Sequence, residues 1–386
     1  MREYKLGDIA FERKETVKGD KEAYPIVGLE HLIPEQVILT EWDQASENTF
    51  TKMFRAGDVL FGRRRAYLKK AAVATFDGIC SGDITVIAAK EDVLSPRLLP
   101  FIIQNDMLFD YAVKMSAGGL SPRVKWQNLK DFVVILPDLE KQEELAEILW
   151  SMEYTKRAYR NMIAQTDELV KSQFIELFGD PENNPKGWRS CCLKDVMAGQ
   201  ASNGFFAKPN DYTEDGNAGI ICVGDVVNRK YSNTEHLRRA NADEKQLKKY
   251  SVKYGDILFC RSSLVKEGIA KASIIPQNCP DDLLFECHVI RIPLDMHKVI
   301  PEFMQAFSVT DYFRGQMMDK SKTATMTTIG QKDVITGVIY VPPMELQKQF
   351  VAFSQQSDKS KFELQKALDE LTAMQKKLML NTFSEQ

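Results

Sequence analysis

The chain repeats itself at a distance of about half its length. Leu6-Gly7-Asp8-Ile9 answers to Leu193-Lys194-Asp195-Val196, and Arg55-Ala56-Gly57-Asp58-Val59-Leu60-Phe61-Gly62-Arg63 returns as Lys253-Tyr254-Gly255-Asp256-Ile257-Leu258-Phe259-Cys260-Arg261. Val133-Val134-Ile135-Leu136-Pro137 returns as Val338-Ile339-Tyr340-Val341-Pro342, and in both copies a long segment with few helix breakers follows the proline. The period is far beyond the ~20–50 residues of solenoid repeats, so each copy is a domain plus a helix. Length gives the same count of two, because 386 residues exceed the ~250–300 at which one core stops growing.

Within each copy the pattern is mixed. Runs 58–61, 71–75 and 84–88 read as short strands, and 96–115 as one helix with its counterpart at 301–318. Both open on proline near the first turn, where its missing N–H does no harm. After Pro137 the period becomes that of a helix. Leu145, Met152, Tyr159 and Thr166 recur every seven residues, as do Leu149, Ile163, Val170 and Leu177, with Lys156 the polar exception. The second segment repeats the register with Phe350, Ser357, Leu364, Leu371 and Leu378, and Leu368 between them. Such heptads bury one seam, and Gly179 and Pro181 supply the stop. A helix of about 40 residues is ~60 Å long. The predicted organisation is a first domain over 1–137, a first long helix over 138–180, a second domain over 181–342 and a second long helix over 343–386. An antiparallel pair of these helices fits the connectivity; the alternative is that each folds back onto its own domain.

Composition excludes several classes. No apolar run approaches the ~20 residues of a membrane span, and the start Met1-Arg2-Glu3-Tyr4-Lys5 lacks the apolar stretch of a signal peptide, so a cytoplasmic protein is expected. Seven cysteines occur without a Cys-x-x-Cys spacing and read as reduced thiols. Only Cys191-Cys192 and Cys287-His288, the latter in the strand-like run 285–292, invite a metal reading, and no metal site is expected. The net charge of −3 carries no general nucleic-acid signal, but the charge is unevenly placed. Residues 54–70 hold six bases against one acid, while 138–178 hold nine acids against five bases.

The basic run is Arg63-Arg64-Arg65 with Lys69 and Lys70; its second copy reads Arg261-Ser262-Ser263-Leu264-Val265-Lys266. Guanidinium forks suit phosphate oxygens and the acceptor edge of guanine. A retained first arginine with altered neighbours is expected if the copies meet different sequences; a solvated charge run is the alternative. A second pair of loops, 116–126 with Arg123 and Lys125, and 321–331 with Lys322, offers glycines, hydroxyls and bases that could approach a phosphate backbone. The candidate DNA-binding residues are therefore Arg63, Arg64, Arg65, Lys69, Lys70, Arg123 and Lys125, and Arg261, Lys266 and Lys322. A search for catalysis comes out largely empty. Asn183-Asn184-Pro185-Lys186 lacks the second proline and the aromatic of an amino-methyltransferase motif. No phosphate loop or glycine-rich nucleotide fingerprint occurs. After Asp256, Glu267-Gly268-Ile269 has isoleucine where a metal-dependent nuclease would place lysine.

The doubled Gly-Asp-hydrophobic-Leu-Phe run, the helix starts Leu136-Pro137-Asp138-Leu139-Glu140-Lys141-Gln142 and Val341-Pro342-Pro343-Met344-Glu345-Leu346-Gln347, and the connector Leu177-Phe178-Gly179-Asp180-Pro181 resemble, in their order, the specificity subunits of type I restriction-modification systems. The resemblance spans essentially the whole chain. It implies an α+β fold in which two mixed target-recognition domains are separated by two long helices forming an antiparallel coiled coil, an internal pseudo-two-fold repeat. It also implies a non-catalytic subunit whose domains each read one half of a split, asymmetric site on double-stranded DNA. The helices would set the gap and dock two methyltransferase subunits, which bind S-adenosylmethionine, and restriction subunits would complete the complex. No cofactor is expected in this chain itself. The seam and partner-binding candidates are Leu145, Leu149, Met152, Tyr159, Ile163, Val170, Leu177, Phe350, Leu364, Leu368, Leu371 and Leu378; Ser357, Lys361 and Gln375 interrupt the second helix's apolar rows. The rival readings are a duplicated-domain protein-interaction adaptor and, from another class, a single-chain nuclease or methyltransferase.

Overall fold

The computed structural model describes residues 1–18, 21, 23–44 and 48–383; positions 384–386 of the second helical segment lie outside the described residues. The chain divides into two compact units, Met1–Ile163 with Phe362–Gln386, and Ala164–Lys361.

In the first unit, strands β1 (Ala10–Glu12), β2 (Val59–Gly62), β3 (Ala71–Val73) and β4 (Ile84–Ala89) form an antiparallel sheet in the order β1-β4-β2-β3. Every residue of β2 is buried, which is why that strand reads as a continuous apolar run rather than an alternation. In the second unit β5 (Ser202–Asn203), β6 (Asp256–Cys260), β7 (Ala272–Ile274) and β8 (Val289–Pro293) repeat the order as β5-β8-β6-β7. The run 285–292, expected as one strand, is broken. Leu283–Phe285 and Val289–Pro293 belong to different sheets, and the N–H of Val289 closes a turn on the carbonyl of Glu286 at 3.0 Å.

The repeated Gly-Asp pair is a turn device. Gly57 and Gly255 have φ of +93° and +96°, a region costly to a side chain. Asp58 and Asp256 then accept the backbone N–H three residues back, from Arg55 at 2.8 Å and Lys253 at 3.0 Å. The copies differ in charge compensation. Arg13 clamps Asp58 through Nε at 2.6 Å and Nη2 at 3.0 Å, whereas among the described residues no salt bridge reaches Asp256. Burial pushes the Asp256 carboxyl above its ordinary value, against the Lys253 N–H. A raised carboxyl contributes stability that is full below ~4, its unfolded value, and is lost as pH rises through the folded value. Asp256→Asn, which keeps the acceptor, is therefore expected to leave the second unit as stable or more stable at neutral pH and to flatten that dependence. Asp58→Asn should cost about 1–3 kcal/mol through the weakened Arg13 clamp. Thermal unfolding between pH 4 and 8 checks both, and equal losses for the two variants would contradict the contrast.

Each single helix expected over 96–115 and 301–318 is two. Leu99–Ile103 is followed by Asp106–Lys114, and Pro301–Ser308 by Asp311–Lys320. The breaks lie where Asn105 and Thr310 side chains accept N–H groups of the next helix, from Met107 at 3.0 Å and Phe313 at 3.4 Å. Short polar side chains of this kind compete with helix continuation and cap a new start.

The strand leading to each long helix pairs with the first strand of its own copy: Val133–Leu136 with Arg2–Lys5, and Val338–Tyr340 with Ser190–Cys192. Helices α1 (Leu139–Phe178) and α2 (Met344–Phe383) then run unbroken for 40 residues each. A buried glutamine moors each start. Gln142 accepts Ser95 N–H at 3.0 Å and donates to the carbonyls of Val93 and Pro137 at 3.1 and 3.0 Å. Gln347 accepts Ile300 N–H at 2.9 Å and donates to those of Lys298 and Pro342 at 3.4 and 2.8 Å.

The two long helices pack antiparallel. In the first unit Leu145, Ala146 and Leu149 of α1 share a core with Met379 and Phe383 of α2; in the second, Phe174 and Phe178 share one with Phe350 and Val351. Both cores also contain residues of the adjoining domain, so the helices pack on each other and on the domains. Of the seam residues, Leu145, Leu149, Phe350 and Leu368 are buried, while Met152, Tyr159, Ile163, Val170, Leu177, Leu364, Leu371 and Leu378 are half-buried. The polar exceptions go inside. Lys156 donates to Glu153 and to Gln375, both at 2.7 Å, and all three are buried. Ser357 is buried too, and Lys361 pairs with Asp167. Among the described residues no helix is long and apolar enough to cross a membrane.

Candidate nucleic-acid interface

The two predicted loop pairs come together in each unit on one hydrogen-bonded frame. In the first unit, Arg63 N–H donates to the Asp83 carbonyl at 3.0 Å and the Arg63 carbonyl accepts Val124 N–H at 2.9 Å. Arg64 bridges Arg123, which exchanges two backbone hydrogen bonds with Ala117 at 3.0 and 2.9 Å. In the second unit, Arg261 N–H donates to the His288 carbonyl at 2.8 Å and the Arg261 carbonyl accepts Ile329 N–H at 3.0 Å. Ser262 pairs with Thr328, which also faces Lys322. Position by position, Arg63 answers to Arg261, Arg64 to Ser262, Asp83 to His288, Ala117 to Lys322 and Arg123 to Thr328. The main chain is preserved and most side chains on it are replaced.

The connection onward is longer in the second copy. Gly62 N–H meets the Lys70 carbonyl at 2.8 Å and Cys260 N–H meets the Lys271 carbonyl at 2.9 Å, so the latter encloses three more residues. The addition carries Leu264 and Val265 into solvent.

The candidate side chains divide into engaged and open groups. Lys69 is held by Asp106 at 2.5 Å, and Lys70 by the Leu29 carbonyl at 2.6 Å. Arg123 binds the Asp83 carboxylate in a fork, Nε to Oδ1 at 2.7 Å and Nη2 to Oδ2 at 3.1 Å. Arg64 donates from Nε to Ser121 Oγ at 2.5 Å and sets Nη1 3.8 Å from Asp83. The Arg123 fork, with the fields of Arg63 and Arg64 beside it, holds the Asp83 carboxyl below its usual range, so this acid stays charged at neutral pH. Arg65, with φ of +54°, and Lys125 are exposed, as are Lys266 and Lys322. Arg63 and Arg261 each bury an Nε that has no hydrogen-bond partner among the described residues, and Arg261 donates from Nη1 to the Cys287 carbonyl at 3.1 Å.

Sequence reasoning missed Asp83 and Ser121, and weighed His288 only as a metal ligand, whereas its carbonyl accepts the Arg261 N–H. The signal available was the displacement of 205 that places Asp83 on His288 and Arg123 on Thr328. Among the described residues no three His, Cys, Asp or Glu side chains group to hold a metal ion. Burial pushes the Cys80 and Cys222 thiols up to about 12, which keeps them protonated at neutral pH and poor as ligands or nucleophiles.

Residues 1–163 match the family model described as the type I restriction modification DNA specificity domain. The chain is similar to the EcoDI specificity subunit of Escherichia coli, 28% identical over 129 residues that make up 32% of this chain and 28% of that one. It is also similar to the EcoKI specificity subunit of Escherichia coli strain K12, 22% identical over 250 residues, 61% of this chain and 53% of that one. The matched region thus spans about half of one curated relative and less of the other. Among solved structures, the S subunit of a type I restriction-modification system from M. genitalium aligns at a TM-score of 0.57 and 11% identity, over 100% of this chain and 96% of that one. A chain from a study of complex assembly and conformational transition of the type I R-M system aligns at 0.56 and 19%, over 98% and 96%. At these identities the structural likeness is one of fold.

Proposed function

We propose that this chain, whose residues 1–163 match the type I restriction modification DNA specificity domain, is the non-catalytic DNA-recognition subunit of a type I restriction-modification complex, each domain reading one half of a split, asymmetric target. The observation that carries this reading is the doubled loop frame, on which the backbone is kept and the side chains differ. Two surfaces built alike and equipped differently suit two unlike sequences on one duplex.

In this reading Arg63, Arg64, Arg65, Arg123 and Lys125 face DNA from the first domain, and Arg261, Lys266 and Lys322 from the second. Lys69 and Lys70, engaged by Asp106 and Leu29, act on the loop's shape and add to its field. Phosphate contacts supply much of the affinity and its salt dependence, and base-edge contacts supply discrimination. The arginine common to both copies, Arg63 and Arg261, suits what both half-sites share, the phosphate backbone. The long helices set the gap and dock two methyltransferase subunits, which bring S-adenosylmethionine; a restriction subunit completes the assembly.

Arg63→Ala and Arg261→Ala are each expected to weaken duplex binding by the assembled complex, to lower the salt slope by about one, and to leave the recognised sequence unchanged. Titrations at several salt concentrations check this, and a changed sequence preference would assign the pair to base reading instead. The reading as a whole is tested by mapping methylated adenine in the host with the gene intact and deleted. A split motif should lose methylation on deletion. If none does while a partner methyltransferase is expressed, the recognition role fails, and the exposed apolar Leu264 and Val265 direct attention to a protein-binding adaptor.

A further inference from the structure

We infer that the half-target met by the first domain contains a guanine read by Arg123, with Asp83 as its positioning residue, and that the second domain makes no equivalent contact. This rests on the DNA-recognition reading above and gives it a base.

A guanidinium presents two edges suited to bidentate contact. Asp83 occupies the side edge of Arg123, Nε and Nη2, leaving the end edge, Nη1 with the second hydrogen of Nη2, unoccupied by that carboxylate. A free fork held in plane is the donor pair that matches O6 and N7 of guanine in the major groove. The side chain is 41% exposed, enough to reach a ligand without leaving its carboxylate. Its backbone is fixed as well, by the paired hydrogen bonds to Ala117 at 3.0 and 2.9 Å. Arg64, tied to Ser121, sets its Nη1 3.8 Å from Oδ2 of the same carboxylate and adds to the positive field that keeps it charged. Ordering an arginine costs rotamer entropy, and here the fold has already restrained it before DNA arrives.

Among the described residues, the loop frame of the second copy does not repeat this arrangement. Where the first has Asp83, Arg123 and Arg64, the second has His288, Thr328 and Ser262, and the retained Arg261 is half-buried with Nη1 on the Cys287 carbonyl. On this loop frame the asymmetry assigns guanine reading by a buttressed arginine to the first half; the second unit's carboxylate-held Arg239, paired with Asp282, lies on a different strand, outside the frame.

The test uses the chain co-expressed with its methyltransferase partner and maps methylated adenine for Arg123→Lys, Asp83→Asn and Asp83→Glu. A good bidentate contact discriminates by about 1–3 kcal/mol, or roughly 5- to 150-fold. Arg123→Lys should relax one guanine position in one half of the motif by that factor and leave the other half intact, which also reports that the complex has folded and assembled. Asp83→Asn should relax the same position, and Asp83→Glu should restore it in part, a pattern that a merely structural aspartate would not give. Independently of any variant, 7-deazaguanine at that position removes the N7 acceptor and should weaken binding of the unaltered complex about tenfold. A half-motif without guanine, an unchanged motif in Arg123→Lys, or indifference to 7-deazaguanine would overturn the inference while the split motif still stands. Failure of the broader reading looks different, because no motif then depends on the gene at all.

Discussion

Replacing Phe174 by alanine is expected to destabilise the second unit by about 3–5 kcal/mol, the range for deleting a buried phenyl ring. Phe174 is 4% exposed and lies at ring-centroid distances of 5.0, 6.0, 6.4 and 5.4 Å from Phe178, Phe303, Phe307 and Phe350. It thus joins the end of α1 to the start of α2 and to the helix Pro301–Ser308. Four aromatic neighbours from three helices cannot all move into the vacated space, so a cavity should persist. At about 2–4 °C per kcal/mol for a unit of this size, the midpoint should fall by roughly 6–20 °C. Leu169→Ala, on the same helix within the second unit and 54% exposed, is the control and should stay within about 0.5 kcal/mol. Similar shifts for both variants would mean that the aromatic cluster is not what holds these helices together.

A comparable loss is expected for Lys156→Ala in the first unit, for a different reason. The substitution leaves Glu153 buried, with Arg160 at 3.5 Å its remaining cation, and leaves the Gln375 side-chain oxygen without its donor. Removing one partner of a buried pair costs about 3–5 kcal/mol, yet replacing the whole group by apolar residues of similar volume is often neutral or stabilising by 1–4 kcal/mol. Glu153→Leu, Lys156→Met and Gln375→Leu combined should therefore recover the stability that the single variant loses. What the network can add is register, since a buried polar contact between helices is satisfied at one alignment only. Cysteine pairs placed across α1 and α2 within the first unit should crosslink at one register in the natural chain and at several in the triple variant. A triple variant as unstable as Lys156→Ala, or one that crosslinks as singly as the natural chain, would remove the network from this role.

The duplication, the two long helices and the loop that follows the Gly-Asp strand were legible in the sequence because each depends on local order or on period. Arg63-Arg64-Arg65 leaves the strand where that run predicts. Other features depend on residues distant in the chain and were not legible. Lys69 finds Asp106 and Arg123 finds Asp83, and only the fold reveals that these bases already have partners. The heptad rows are a weaker guide for the same reason. Lys156 looks like an interruption until Glu153 and Gln375 surround it, and Ser357 is buried although its type breaks the apolar row. Helix continuity over 96–115 failed on one residue, Asn105, whose capping preference outweighed the apolar pattern around it.

The glutamine mooring has a consequence for how such a protein can change. Gln142 and Gln347 hold their helices through main-chain atoms of the adjoining domain, two carbonyls and one N–H in each case. A main-chain carbonyl is common to every amino acid and an N–H to all but proline, so the joint depends little on the identity of the residues it grips. Substitutions can accumulate across a domain's outer loops without loosening its helix, provided the backbone around residues 93–95 or 298–300 keeps its path. A chain jointed in this way can alter what its domains meet while the scaffold that carries them inherits no new strain.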